Sequence, residues 1–97
     1  MVVSVITIWR VIFYRSVSGR CPVEEFVEDL LIEDAKEVVA SIGALRELGN
    51  VARRPLADYV EDGIYELRSK RLKKQFRVLY TFTERKTILL LTEGFAL

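Results

Sequence analysis

The sequence predicts one small α+β domain, with a helix pair packed on one face of a largely antiparallel sheet. Three observations carry this prediction. Between residues 23 and 48 the apolar residues recur every three or four positions, as amphipathic helices require. In residues 3–14 and 64–93 they alternate or run continuously and are rich in β-branched and aromatic side chains, as strands require. The chain has 97 residues, enough for one hydrophobic core and too few for two domains. The expected order is strand, helix, helix, strand, strand, strand.

The first strand is expected over residues 3–14, from Val3 to Tyr14, with Trp9 and Tyr14 as core or rim packing. Gly19 marks the turn that follows. Pro22 suits the first position of a helix because its missing N–H has no partner there anyway. Glu24 and Glu25 favour the same helix end electrostatically. Val23, Phe26, Val27, Leu30 and Leu31 form its apolar face. A second helix is expected from about Glu33 to Leu48, closed by Gly49-Asn50. Gly43 within it either permits close helix packing or is simply tolerated. Residues 50–62 read as the one real loop, with Leu56 and Tyr59 tucked under the sheet.

Asp62-Gly63 opens the next strand. There Ile64, Glu66 and Arg68 share one face and Tyr65, Leu67 and Ser69 the other. Residues 70–74 turn back. In the strand that follows, Phe76, Val78, Tyr80 and Phe82 lie on one face, with Arg77, Leu79 and Thr81 opposite. The last strand, Thr87 to Glu93, is apolar throughout its middle and is expected to be central.

Fifteen Lys and Arg against fourteen Asp and Glu give a net charge of +1, so overall charge points to no partner. Its distribution is more informative. Six basic residues and no acid lie between Arg68 and Arg77, namely Arg68, Lys70, Arg71, Lys73, Lys74 and Arg77. Seven acids lie between Glu24 and Glu37, opposed by Lys36 alone. The acidic run reads as a solvated helix face or as a docking surface for a basic partner. The basic run reads as a solvated turn or as a phosphate-binding face. Arginine offers a planar fork of donors that matches phosphate, and two arginines in adjacent strands repel unless an anion lies between them. Glu66 could be that anion. Arg54, beside Arg53 in the loop, is either solvated or a further phosphate contact. Tyr65, Phe76, Tyr80 and Phe82 interleave with the basic residues, yet alternation assigns most of these rings to the core.

There is no histidine, and Cys21 is the only cysteine. A zinc site, an imidazole base and an internal disulfide are therefore not expected, and Cys21 reads as structural. No metal or cofactor is expected. Residues 1–14 lack the features of a signal peptide and are too few to span a bilayer. A cytoplasmic protein without membrane association is expected. RNA can be cleaved without histidine or metal, because its 2′-hydroxyl supplies the nucleophile and basic side chains can stabilise the added charge.

Taken together, Phe13-Tyr14, Gly19, Pro22-Val23, Phe26, Leu45 to Gly49, Pro55-Leu56, Asp62 to Arg68, Phe76 to Tyr80, Ile88 to Leu91 and Gly94-Phe95 cover nearly the whole chain. This ordered set resembles the phage-derived branch of the RelE/HigB-like toxins of type II toxin–antitoxin systems. The resemblance implies a ribosome-dependent messenger-RNA endoribonuclease that acts without a metal through the RNA 2′-hydroxyl and so inhibits translation. It implies Arg68, Arg77 and Lys74 as catalytic residues, and Lys70, Arg71, Lys73, Arg54 and Phe95 as RNA contacts. The implied partners are the ribosome, messenger RNA and a cognate antitoxin with a helix-turn-helix domain, with operator DNA reached only through the antitoxin. This sequence has Phe76 where the family pattern has tyrosine, and Thr92-Glu93 where it has histidine. Glu93 would bring negative charge to the substrate approach. The family's basic tail is expected to be absent, since Ala96-Leu97 follow Phe95. These departures keep open a weakly active or inactive member that binds an antitoxin.

Overall fold

The computed structural model describes residues 8–94. Strand β1 (Arg10–Phe13) precedes helices α1 (Pro22–Glu28) and α2 (Ile32–Leu48), and a 3-10 turn (Gly49–Val51) follows. Strands β2 (Ala57–Glu61), β3 (Ile64–Arg71), β4 (Lys74–Thr83) and β5 (Thr87–Glu93) complete the fold. The sheet order is β1-β5-β4-β3-β2. Among the described residues only β1 and β5 pair in parallel; the other neighbours are antiparallel. The α+β architecture and the helix pair on one sheet face are as the sequence predicts. Residues 3–7 of the expected first strand lie outside the described residues.

Three local readings are corrected. Residues 57–61 form β2, an edge strand, where the sequence reads as loop. Asp62 and Gly63 both have positive φ and make the two-residue turn joining β2 to β3. Such turns match the natural twist of paired strands and favour Asp-Gly. The basic β3–β4 turn is also tighter than expected. Arg71 and Lys74 still pair in the ladder, leaving only Leu72 and Lys73 as the turn. Finally, β4 occupies the middle of the sheet, with β5 one place from the edge.

The core lies between the helices and one sheet face. Val23 of α1 and Val38 and Leu45 of α2 pack with Ala57, Leu67, Val78, Tyr80, Ile88 and Leu90. Phe26, Val27 and Leu30 are half-buried against this cluster, as the helical spacing predicts. Leu31, Val39 and Leu48 are exposed instead. Burial pushes the Tyr80 hydroxyl up to about 12. Tyr59 is also exposed, though it meets Tyr65 edge-on with ring centres 5.3 Å apart. Trp9 packs on Phe82 at 5.2 Å, and its indole lies against Gly49, where no side chain would fit. Gly43 has open space around it, so it is tolerated and mediates no close packing. Cys21 is buried at the start of α1. No helix among the described residues is long and apolar enough to cross a membrane.

The buried stripe of α2 contains an acid. Asp34, Val38, Ser41 and Leu45 are buried at spacings of four, three and four, and Asp34 is only 2% exposed. The acidic run of residues 24–37 predicts Asp34 on the outer helix face. The structure turns it inward because Arg71 and Lys74 reach it from the hairpin, at 2.9 and 2.5 Å. Lys74 chiefly, and Arg71 with it, holds the Asp34 carboxyl below the usual carboxylate range, outweighing the opposing effect of burial.

Candidate phosphate-binding site

Strand alternation creates the site. Leu67, Ser69 and Arg71 of β3 face the helices, so Glu66, Arg68 and Lys70 face away. In β4, Lys74, Phe76, Val78 and Tyr80 face the helices, so Gln75 and Arg77 face away. The register pairs Arg68 directly with Arg77. The Arg68 amide donates to the Leu56 carbonyl, and the Arg77 carbonyl accepts from the Gly94 amide. Neither group points between β3 and β4. Arg68 and Arg77 are therefore a non-hydrogen-bonded pair, the type in which opposed side chains lie closest, with Cα atoms about 4.5 Å apart.

Like charges so placed repel, and one carboxylate answers both. Glu66 lies 3.7 Å from Arg68 Nε through Oε1 and 3.4 Å from Arg77 Nε through Oε2. All three side chains are largely shielded, at 20% exposure for Glu66, 23% for Arg68 and 17% for Arg77. Arg77 also donates to Gln75 Oε1 at 3.1 Å. Arg68 Nε is buried and has no hydrogen-bond acceptor among the described residues. One guanidinium group of the pair thus keeps a buried donor without an acceptor beside a second guanidinium group, so the pair retains unused capacity to bind an anion.

The surroundings supply its walls. A cleft of about 480 Å³ opens beside β3 just before β2 begins, lined by Arg68, Lys70 and Gln75 together with Leu56, Ser41 and the acid Glu37; Arg77 and Glu66 do not line it. Asp58 of β2 pairs with Glu66 in the register. It is held by Arg54, whose Nε donates to Oδ2 at 2.8 Å. That bond lowers the Asp58 carboxyl and raises Arg54. On the other side Gly94 lies against Arg77. A Cβ at Gly94 would come within 3.1 Å of Arg77 Cβ, so glycine lets the chain cross closely over the arginine.

The structure divides the residues selected from sequence. Arg68, Arg77 and Lys70 come together on the open face. Arg54 stands at the rim, bound to Asp58. Lys73 is exposed in the hairpin turn. Lys74 and Arg71 face the helices and hold Asp34, on the side of the sheet opposite the arginine pair. They anchor the hairpin and do not join Arg77. Phe95 lies outside the described residues. Glu93 pairs with Val78 and lines a pocket with Phe26, Asp29 and Leu30 of the α1 side. Its charge therefore does not enter the arginine site. From sequence, Glu66 is expected only as an ion-pair partner, and Asp58 carries no expected role. Their shared face with Arg68 was legible for Glu66 but not for Asp58, whose strand was unrecognised. Among the described residues, no group of three or more acids or cysteines is placed to hold a metal ion.

Comparison with known protein families matches residues 25–95 to the family described as phage derived protein Gp49-like (DUF891). The chain belongs to the Gp49-like family. No curated protein matches it. The Gp49-like match includes the arginine pair, Glu66, the hairpin and Gly94, and begins within α1.

Proposed function

We propose that this Gp49-like protein is the toxin of a type II toxin–antitoxin pair and cleaves messenger RNA on the ribosome. The observation that carries the reading is the directly opposed Arg68–Arg77 pair on the sheet face left open by the helices. In the proposed reaction the RNA 2′-oxygen loses its proton and attacks the adjacent phosphorus. The bond from phosphorus to the 5′-oxygen breaks, and that oxygen takes up a proton. The products are a 2′,3′-cyclic phosphate and a 5′-hydroxyl. Negative charge on the phosphoryl oxygens grows from one to two on the way to the pentacoordinate state. Two guanidinium groups match that doubled charge better than the ground state, which is the condition for catalysis.

Lys70 and Lys73 supply charge for neighbouring phosphates, and Arg54 does so at the rim. The ribosome presents the messenger, and a helix-turn-helix antitoxin neutralises the toxin and carries the complex to operator DNA. Cytoplasmic location follows from that role. The test is cleavage of messenger RNA on purified ribosomes. The expected result is a cut fragment ending in a 2′,3′-cyclic phosphate, lost with Arg77→Ala. Intact messenger in the presence of folded protein would refute the nuclease. A second reading, an inactive antitoxin-binding protein, draws on the occupancy of the arginine pair by Glu66. It predicts antitoxin binding without cleavage.

A further inference from the structure

We infer that Glu66 is a resident anion that holds the arginine pair together and is displaced when an RNA phosphodiester binds. The inference rests on the phosphate-binding role proposed for Arg68 and Arg77, and adds a residue that sets the selectivity of that site.

Three features of the geometry support it. Glu66 spans the two arginines at 3.4 and 3.7 Å yet provides Arg68 Nε with no hydrogen bond. A carboxylate whose two oxygens are stretched between two forks satisfies neither fully. A phosphodiester, with two free oxygens on a larger tetrahedral centre, can accept from both. Glu66 is also well placed to leave. It lies on the same sheet face two residues before Arg68 and keeps 20% of its side chain exposed. Arg54, already hydrogen-bonded to Asp58, lies close enough to Glu66 to feel its charge.

The formal charges agree. Two arginines and Glu66 sum to +1, which one phosphodiester neutralises. When Glu66 turns away the pair presents +2, matching the dianionic pentacoordinate phosphorus. With Glu66 in place, small anions meet a site already partly neutralised. A polyanion with further contacts at Lys70 and Lys73 has the additional binding energy to displace it. Glu66 is thus a positioning residue that discriminates RNA from free anions.

The experiment measures binding of a short 2′-O-methyl oligoribonucleotide, which cannot be cleaved, across a salt series. Wild type is compared with Glu66→Gln and with Glu84→Gln, an exposed acid in the β4–β5 turn that makes the same change in net charge. Glu66→Gln is expected to bind about tenfold tighter and to steepen the log–log salt slope by about 0.7, the value for one further phosphate contact on a single strand. Inorganic sulfate, a weak competitor with wild type, is expected to compete effectively with the variant. Glu84→Gln is expected to stay within about twofold of wild type on net-charge grounds alone. Unchanged or weaker binding by Glu66→Gln, or an equal gain in Glu84→Gln, would overturn the inference.

If Glu66→Gln fails to fold, the Arg68 and Arg77 Nε–H resonances of the wild-type protein decide. Displacement requires both, and the Glu66 carboxyl carbon, to shift together on adding the oligoribonucleotide. A Glu66 signal that stays fixed would overturn it. Tightened binding without messenger cleavage would uphold Glu66 displacement and remove the nuclease. Cleavage with unchanged binding would do the reverse.

Discussion

Gly49→Ala is expected to destabilise the fold severely and to do so through Trp9. Gly49 ends α2 with φ 56° and ψ −126°, a conformation that side-chain-bearing residues rarely adopt. Holding alanine there costs about 1–3 kcal/mol. The added methyl group would also overlap the Trp9 indole, which must move away. That movement breaks the Trp9–Phe82 contact at 5.2 Å, worth about 0.5–1.5 kcal/mol for an aromatic pair. It also separates the indole from Lys86 Nζ, 5.7 Å from the ring centre, worth about 0.5–1 kcal/mol. The total expected loss is about 2–5.5 kcal/mol, lowering the thermal midpoint by about 10 °C or more in a domain of this size. Trp9 is the only tryptophan, so its fluorescence reports the mechanism as well as the stability. The assay is thermal and urea unfolding followed by emission, with the folded-state emission maximum as the second readout. A red-shifted folded maximum together with the lower midpoint is expected. A loss under about 1 kcal/mol with unchanged emission would refute the packing argument.

Other outcomes follow from the same geometry. Asp34 has a depressed folded pKa, so its stabilising contribution is complete above its unfolded value and is lost as pH falls through the folded one. Asp34→Asn should therefore flatten the acid limb of a stability–pH curve and speed amide exchange in residues 71–74. Tyr80 shows the opposite sign at high pH. Its unfolded form loses a proton above about 10 while the folded form holds it, so stability falls as pH rises, and Tyr80→Phe should remove that slope. Leu72 occupies the hairpin turn at φ 58° and is exposed. Leu72→Gly relieves about 1–2 kcal/mol of left-handed strain against about 0.5–1 kcal/mol of added unfolded-state freedom, for a small net gain in the urea midpoint. Lys73→Ala should reduce the salt slope of RNA binding by about 0.7 at unchanged thermal midpoint, whereas Lys74→Ala should lower the midpoint because it unpins Asp34.

What could be read from the sequence depended on whether a signal was local. The side-chain alternation of β3 and β4 placed Arg68 and Arg77 together and put Phe76, Val78 and Tyr80 in the core, because a period of two needs only neighbouring residues. Strand β2 was missed for a different reason. Ala57-Asp58-Tyr59-Val60-Glu61 is short, half polar and lies at the sheet edge, where pairing with β3 supplies what propensity does not. The Asp62-Gly63 turn was its one clear signal, since such a turn requires a strand on each side. Asp34 was hidden among seven acids, and its partners lie 37 and 40 residues away. Contacts at that separation leave no periodic trace. The stripe linking Asp34 to Val38, Ser41 and Leu45 was the one indication that it faced inward.

The most direct test of the central claim is protein synthesis in a bacterium expressing this chain without an antitoxin. Incorporation of radiolabelled methionine is followed beside Arg68→Ala and Arg77→Ala forms. The nuclease reading predicts a rapid stop in incorporation that both substitutions abolish. Undiminished incorporation in cells containing the folded wild-type protein would contradict it.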